Sequence, residues 1–315
     1  MPFSTSGSEA QPSCASPPAD SFPTADAVCE ERKRKTPDGA SLREYHWSPV
    51  GGSAAGSPVV VIVHGYGEHF RRYDELASFF LKRGYAVSGF DWRGHGRSGG
   101  QRGFIRSFEL YVDDLLRFLE ALDARYRGRP LALLGHSTGG LMSLRALQRG
   151  APQVAALILT NPLLRLAEPQ RVVPDWLARA LSFVVPRLPI PSGIDAAELT
   201  HDPAWVARTR LDPLCHRVAT PRWSWSTTLA GRRAMAEAAS VQVPTLVVGS
   251  GEDRLAEPRA VRELFERLGG EDTEWVFREH DYHEVLNEAG RSELFRTIAD
   301  FVDSRLAPRL PENRE

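Results

Sequence analysis

Cysteine is scarce in this chain, and the little there is follows no pattern. The 315 residues hold three, Cys14, Cys29 and Cys215. An odd number without metal-ligand spacing argues against a disulfide framework and for a reducing, cytoplasmic setting. No apolar run approaches the ~20 residues that a bilayer-spanning helix needs. The Ser-, Ala- and Pro-rich opening has no basic start followed by an apolar core of about 7–15 residues, so it does not read as a secretory signal. Residues 1–30 read instead as a disordered leader. Charge of one sign is also missing: 39 basic and 40 acidic residues leave a net charge of −1, spread without long blocks. Nothing there suggests a nucleic-acid surface or a polybasic membrane anchor. No G-x-G-x-x-G opens a helix after the first strand, no Walker loop occurs, and no ligand cluster makes a case for a metal, so no cofactor is expected.

What is present is an alternation of short apolar segments with amphipathic ones. Val59–Val63, Ala86–Phe90, Leu131–Leu134, Ala155–Thr160, Thr245–Gly249 and Glu274–Phe277 read as strands. Between and after them, 73–82, 108–126, 137–148, 258–268 and 292–306 read as helices. Strands that are apolar on both faces and alternate with helices predict a mostly parallel sheet covered on both sides. In such sheets ligands bind at the carboxyl ends of the strands.

One strand end stands out. Leu131-Ala-Leu-Leu-Gly-His-Ser137-Thr-Gly-Gly140 runs an apolar strand into G-x-S-x-G and then into a helix. That is the context of a nucleophile elbow, in which the serine sits on a sharp turn and the glycines supply room. A serine hydroxyl needs a general base, and the base needs a third group to orient it. His283 follows the strand Glu274–Phe277 in a polar loop, with His280 as its competitor. Asp253 follows Thr245–Gly249, with Glu252 as the neighbouring alternative. The order Ser, Asp, His fits an elbow hydrolase. Two backbone donors for an oxyanion are expected at Thr138, just past the serine, and at Tyr66, flanked by Gly65 and Gly67 in the loop after Val59–Val63. The turn Asp91–Ser98 reads as structural.

The alternation breaks over 164–240, where prolines scatter and four of the seven tryptophans fall. This stretch reads as a cap inserted between core segments 40–163 and 241–307. Its apolar residues, Trp176 and Phe183 among them, offer a surface for an acyl chain, each buried methylene being worth ~0.8 kcal/mol. The same surface could rest on lipid.

Taken together, His64-Gly-Tyr-Gly-Glu-His69 with Arg72-Tyr73, Asp91-Trp-Arg-Gly-His-Gly-Arg-Ser98, Gly135–Gly140, Asp253-Arg-Leu and His283–Glu288 resemble the α/β-hydrolase superfamily, and within it the monoacylglycerol lipase/lysophospholipase group. The resemblance implies a Ser137–Asp253–His283 triad, an oxyanion hole of Tyr66 and Thr138 amides, and no cofactor. It also implies a cap that admits one acyl chain, with Gly65, Glu68 and Arg72 near the polar head of a small lipidic ester. A carboxylesterase for short-chain or xenobiotic esters, a proline-type aminopeptidase and a noncatalytic ligand-binding protein of the same fold are the alternatives. Dehalogenase and epoxide hydrolase chemistry is disfavoured, because those elbows carry Asp where this chain has Ser137.

Overall fold

The computed structural model describes residues 27–53, 56–151, 153–168 and 174–306. Its strands are β1 (Ala27–Lys35), β2 (Ser41–Pro49), β3 (Val59–Val63), β4 (Ala86–Asp91), β5 (Leu131–His136), β6 (Val154–Thr160), β7 (Ile190–Pro191), β8 (Val218–Ala219), β9 (Thr245–Ser250) and β10 (Thr273–Arg278). Eight of them form one sheet in the order β1-β2-β4-β3-β5-β6-β9-β10, while β7 and β8 pair separately. From β4 to β10 every neighbouring pair is parallel; β1 and β2 run antiparallel to their neighbours.

The helices are α1 (Asp74–Lys82), α2 (Glu109–Tyr126), α3 (Thr138–Gln148), α4 (Asp175–Val184), α5 (Pro203–Leu211), α6 (Pro221–Ala236), α7 (Pro258–Arg267) and α8 (Arg291–Leu306). Successive strand residues point to opposite faces, and β3 divides accordingly. Val59, Val61 and Val63 join the core under α2, α3, α6 and α7. Val60 and Ile62 join the core under α1 and α8. Both layers are buried, and each aliphatic side chain taken fully out of water contributes ~1.5–3 kcal/mol. The expected mostly parallel sheet between two helical layers is therefore the observed architecture.

One expectation needs correction. Strand pairing begins at Ala27, inside the expected leader; the leader through residue 26, with Cys14, lies outside the described residues, as does residue 307. His46 lies on β2 between β1 and β4. The edge is β1, whose run Glu30-Glu-Arg-Lys-Arg-Lys35 presents charge where another sheet could otherwise add. Within 164–240, α6 packs as a core helix through Trp223, Ala230 and Ala234. By contrast, α4 turns Trp176, Phe183 and Val184 to solvent.

Candidate active site

The turn from β5 into α3 holds Ser137 at φ 53° and ψ −120°, a region that side-chain-bearing residues rarely occupy. Local bonds enforce it: Ser137 N–H donates to the Thr160 carbonyl at 3.0 Å, and its own carbonyl accepts from Leu163 N–H at 2.9 Å. Gly139 is required on the next turn, because a Cβ there would press into the carbonyl oxygens of Val63 and His64. The elbow and the loop after β3 are therefore packed backbone to backbone.

His283 and Asp253 converge on this serine from the ends of β10 and β9. His283 Nε2 lies 2.7 Å from Ser137 Oγ, and His283 Nδ1 lies 2.7 Å from Asp253 Oδ2. The second oxygen of Asp253 accepts from the amides of Leu255 and Ala256 at 2.8 and 2.9 Å, so the carboxylate cannot swing away. With Nδ1–H donated to Asp253, Nε2 is left to accept the serine proton. All three side chains are buried. The competitors His280 and Glu252 pair with each other at 3.4 Å on the surface, apart from the relay.

Burial alone would lower the pKa of His283. The charge and hydrogen bond of Asp253, followed by the charges of Glu284 and Glu68, outweigh it and raise that pKa above the ordinary value. Ring to ring at 4.9 Å lies His136, tied to Thr160 through Nδ1. Burial and the neighbouring His283 push His136 down to about 3, so it packs against His283 as a neutral ring.

The loop after β3 stands directly against Ser137: a Cβ built on Gly65 would lie 3.3 Å from that of the serine. Tyr66 follows, its ring packed 3.8 Å from Trp223 and its hydroxyl donated to the Val218 carbonyl at 2.6 Å. On the other side Thr138, fully buried, opens α3.

The remaining expected substrate contacts need revision. Gly65 N–H donates to Glu68 Oε1 rather than facing an open site. Glu68 also accepts from Arg72 Nε at 2.8 Å and Tyr73 Oη at 2.6 Å. Arg72 goes on to Glu284 Oε2 at 2.7 Å and Thr209 Oγ1 at 2.6 Å. Burial and the charge of Glu284 leave Glu68 with a raised pKa; Glu284 is lowered, because Arg72 overcomes the effect of burial. Glu68 and Arg72 thus form a buried ion network that braces the loop. Trp176 and Phe183 are also displaced from expectation. They line an open groove on α4 with Asp175, Arg179, Ala180 and Trp225, in which no member of the relay takes part.

One positioning residue went unread in the sequence. Asn161, at φ 43° just past β6, donates from Nδ2 to the His283 carbonyl at 2.7 Å and accepts from Ser250 N–H at 2.9 Å. Asparagine before Pro162 at a strand's carboxyl end was the available signal, since Asn tolerates the left-handed region. The turn Asp91–Ser98 is structural, as expected: Asp91 accepts from Tyr45 Oη, Phe70 N–H and Arg97 N–H, and Arg93 bonds Asp114 and Asp38.

Residues 55–290 match the family model Hydrolase_4, described as "Serine aminopeptidase, S33". The chain belongs to this α/β-hydrolase family. It is 30% identical over 249 residues to a monoacylglycerol lipase of Mycolicibacterium smegmatis, covering 79% of this chain and 89% of the relative. It is 30% identical over 247 residues to phospholipase YtpA of Bacillus subtilis, covering 78% and 95% of the two chains. Among solved structures, the monoacylglycerol lipase of Paleococcus ferrophilus superposes with a TM-score of 0.74 at 29% identity, covering 84% of this chain and 99% of the other. The chain is therefore a carboxylic ester hydrolase of the monoacylglycerol lipase-like group. Among the described residues, no helix is long and apolar enough to cross a membrane.

Proposed function

We propose that this hydrolase cleaves the ester of a single-chain lipid, a monoacylglycerol or lysophospholipid, by two acyl transfers through Ser137. The observation that carries the reading is the relay from Ser137 Oγ through His283 to Asp253, 2.7 Å at each link. In the first transfer Ser137 Oγ bonds to the ester carbonyl carbon as its proton passes to His283 Nε2. The carbonyl oxygen becomes an oxyanion, held by the amides of Tyr66 and Thr138. As the carbon–oxygen bond to the alcohol breaks, the alcohol leaves with the proton from His283. Water then repeats the sequence on acyl-Ser137, releasing the fatty acid and restoring the hydroxyl. Asp253 keeps His283 in the required tautomer and stabilises the imidazolium formed midway.

The lipid substrate is supported by the names of the relatives, a monoacylglycerol lipase and a phospholipase. It is also supported by the apolar face that α4 presents, where Trp176, Phe183 and Val184 are each more than half exposed. Such a face suits a protein that meets its substrate at a lipid surface, with 164–240 acting as the cap. The free thiols of Cys29 and Cys215 suit a cytoplasmic setting.

The family description favours a second reading, an aminopeptidase, which would need a carboxylate free to bind the substrate's amine. The carboxylates whose charges reach His283 include Glu284 and Glu68, and both are taken up by Arg72. Turnover of monoacylglycerols, lysophospholipids, p-nitrophenyl esters from acetate to decanoate and aminoacyl amides decides among these. Octanoyl or decanoyl esters should be cleaved faster than acetate. Faster acetate turnover contradicts the lipid reading, and amide cleavage that outpaces ester cleavage would replace it.

A further inference from the structure

Away from the relay, the loop after β3 meets the chain between α5 and β8 along a seam. His216 N–H donates to the Gly67 carbonyl at 2.8 Å, and Tyr66 Oη donates to the Val218 carbonyl. At one end of this seam stand His69, Asp212 and Cys215, with one donor atom of each within 4.8 Å of the others. We propose that these three side chains form a binding site for a thiophilic divalent cation of the zinc class.

The donor set is preformed. His69 Nε2 already points at Asp212 Oδ2 across 2.9 Å. Asp212 Oδ1 caps Leu214 N–H at 2.9 Å, and Cys215 N–H reaches back to the Asp212 carbonyl at 3.3 Å, so the Asp-x-x-Cys turn is held in shape. Zinc bonds of ~2.0–2.3 Å to nitrogen, oxygen and sulfur set tetrahedral donors roughly 3.3–3.7 Å apart, so His69 and Asp212 part slightly as the ion enters between them and Cys215. His69 is buried while Asp212 and Cys215 are half-buried, which leaves one side open for the cation to enter and for a fourth ligand. The nearby positive charge of Arg72 is met by Glu68 and Glu284, so it does not leave the site net positive.

The chemistry of the donors selects the class of ion. On binding, the cation takes the place of the proton between His69 and Asp212, which passes to His69 Nδ1 or to solvent, and the Cys215 thiol releases its proton to solvent. Burial pushes that thiol up to about 12, so the ion must bind sulfur strongly enough to displace the proton. Zinc and cadmium do this; magnesium and calcium, which prefer oxygen donors, do not. Sequence spacing gave no hint of such a site, because His69 and Asp212 lie 143 positions apart.

Cadmium is the probe, since a thiolate bound to it absorbs in the near ultraviolet. Titration of the full chain should produce this absorption in the wild type and in a Cys14→Ser, Cys29→Ser double variant. Cys215→Ser should abolish it, while His69→Gln and Asp212→Asn should bind about tenfold more weakly. Thermal melting without metal checks that each variant folds, and added zinc should raise the melting temperature of the wild type and the double variant but not that of Cys215→Ser. Absence of the absorption in the wild type, or its survival in Cys215→Ser, overturns the proposal. Neither result depends on ester hydrolysis.

Discussion

The side-chain amide of Asn161 donates to the main-chain carbonyl of His283 at 2.7 Å. The end of β6 therefore carries the loop that presents the proposed base. Asn161→Ala leaves that carbonyl and the Ser250 amide without their partner, while the relay residues stay in place. A loss of ~1.4 kcal/mol, typical for a buried hydrogen bond, corresponds to a fall in kcat of about tenfold with KM little changed. Steady-state kinetics on one ester measures this; an unchanged kcat would show that the loop is held without Asn161.

His283 should set the acid limb of the pH profile. Imidazolium cannot accept the Ser137 proton, so kcat/KM falls as pH drops through the pKa of His283 in the free enzyme. That pKa is raised, the opposing effect of burial being outweighed first by Asp253 and then by Glu284 and Glu68. The limb should therefore lie above the ordinary histidine value, and Glu284→Gln should move it to lower pH. Stability follows the same sign. The contribution of this pairing is full below the unfolded value and is lost as pH rises through the folded one. A limb below the ordinary value, or one that Glu284→Gln leaves in place, contradicts this assignment.

Gly139→Ala tests the contact between elbow and loop. The added methyl meets the carbonyls of Val63 and His64, which are backbone and cannot turn aside. Overpacking of this kind costs ~1–3 kcal/mol, and the displaced loop carries the Tyr66 amide. Urea denaturation should show the loss of stability, and kcat should fall by more than stability accounts for. Full activity in the variant would separate the loop from catalysis.

Arg72→Ala distinguishes a brace from a head-group contact. The substitution strands Glu68 and Glu284 as buried, unpaired carboxylates, a loss of ~3–5 kcal/mol. Chemical denaturation should register it directly. Unchanged stability combined with a raised KM would return Arg72 to the substrate.

Much of this is legible in the sequence, and the rest is hidden for identifiable reasons. Ser137, Asp253 and His283 each follow an apolar strand at its carboxyl end, so chain order and strand pattern were enough to nominate them. β1 is hard to read because an edge strand need bury little: Ala27 and Cys29 pack against the core beneath, Val28 is exposed, and residues 30–35 are all charged. Glu68 and Arg72 were visible as polar residues beside the loop. Their ion network closes through Glu284, 212 positions away from Arg72, and spacing along the chain cannot show that. For Trp176 and Phe183, apolar character was plain in the sequence, but not which way their side chains point.

A fluorophosphonate probe bears most directly on the whole account. Intact mass and peptide mapping should find a single adduct on Ser137 in the wild type, none in Ser137→Ala, and much slower labelling in Asp253→Asn. A wild-type protein that takes up no probe, or a Ser137→Ala variant labelled as fast as the wild type, would contradict the claim that the relay activates this serine.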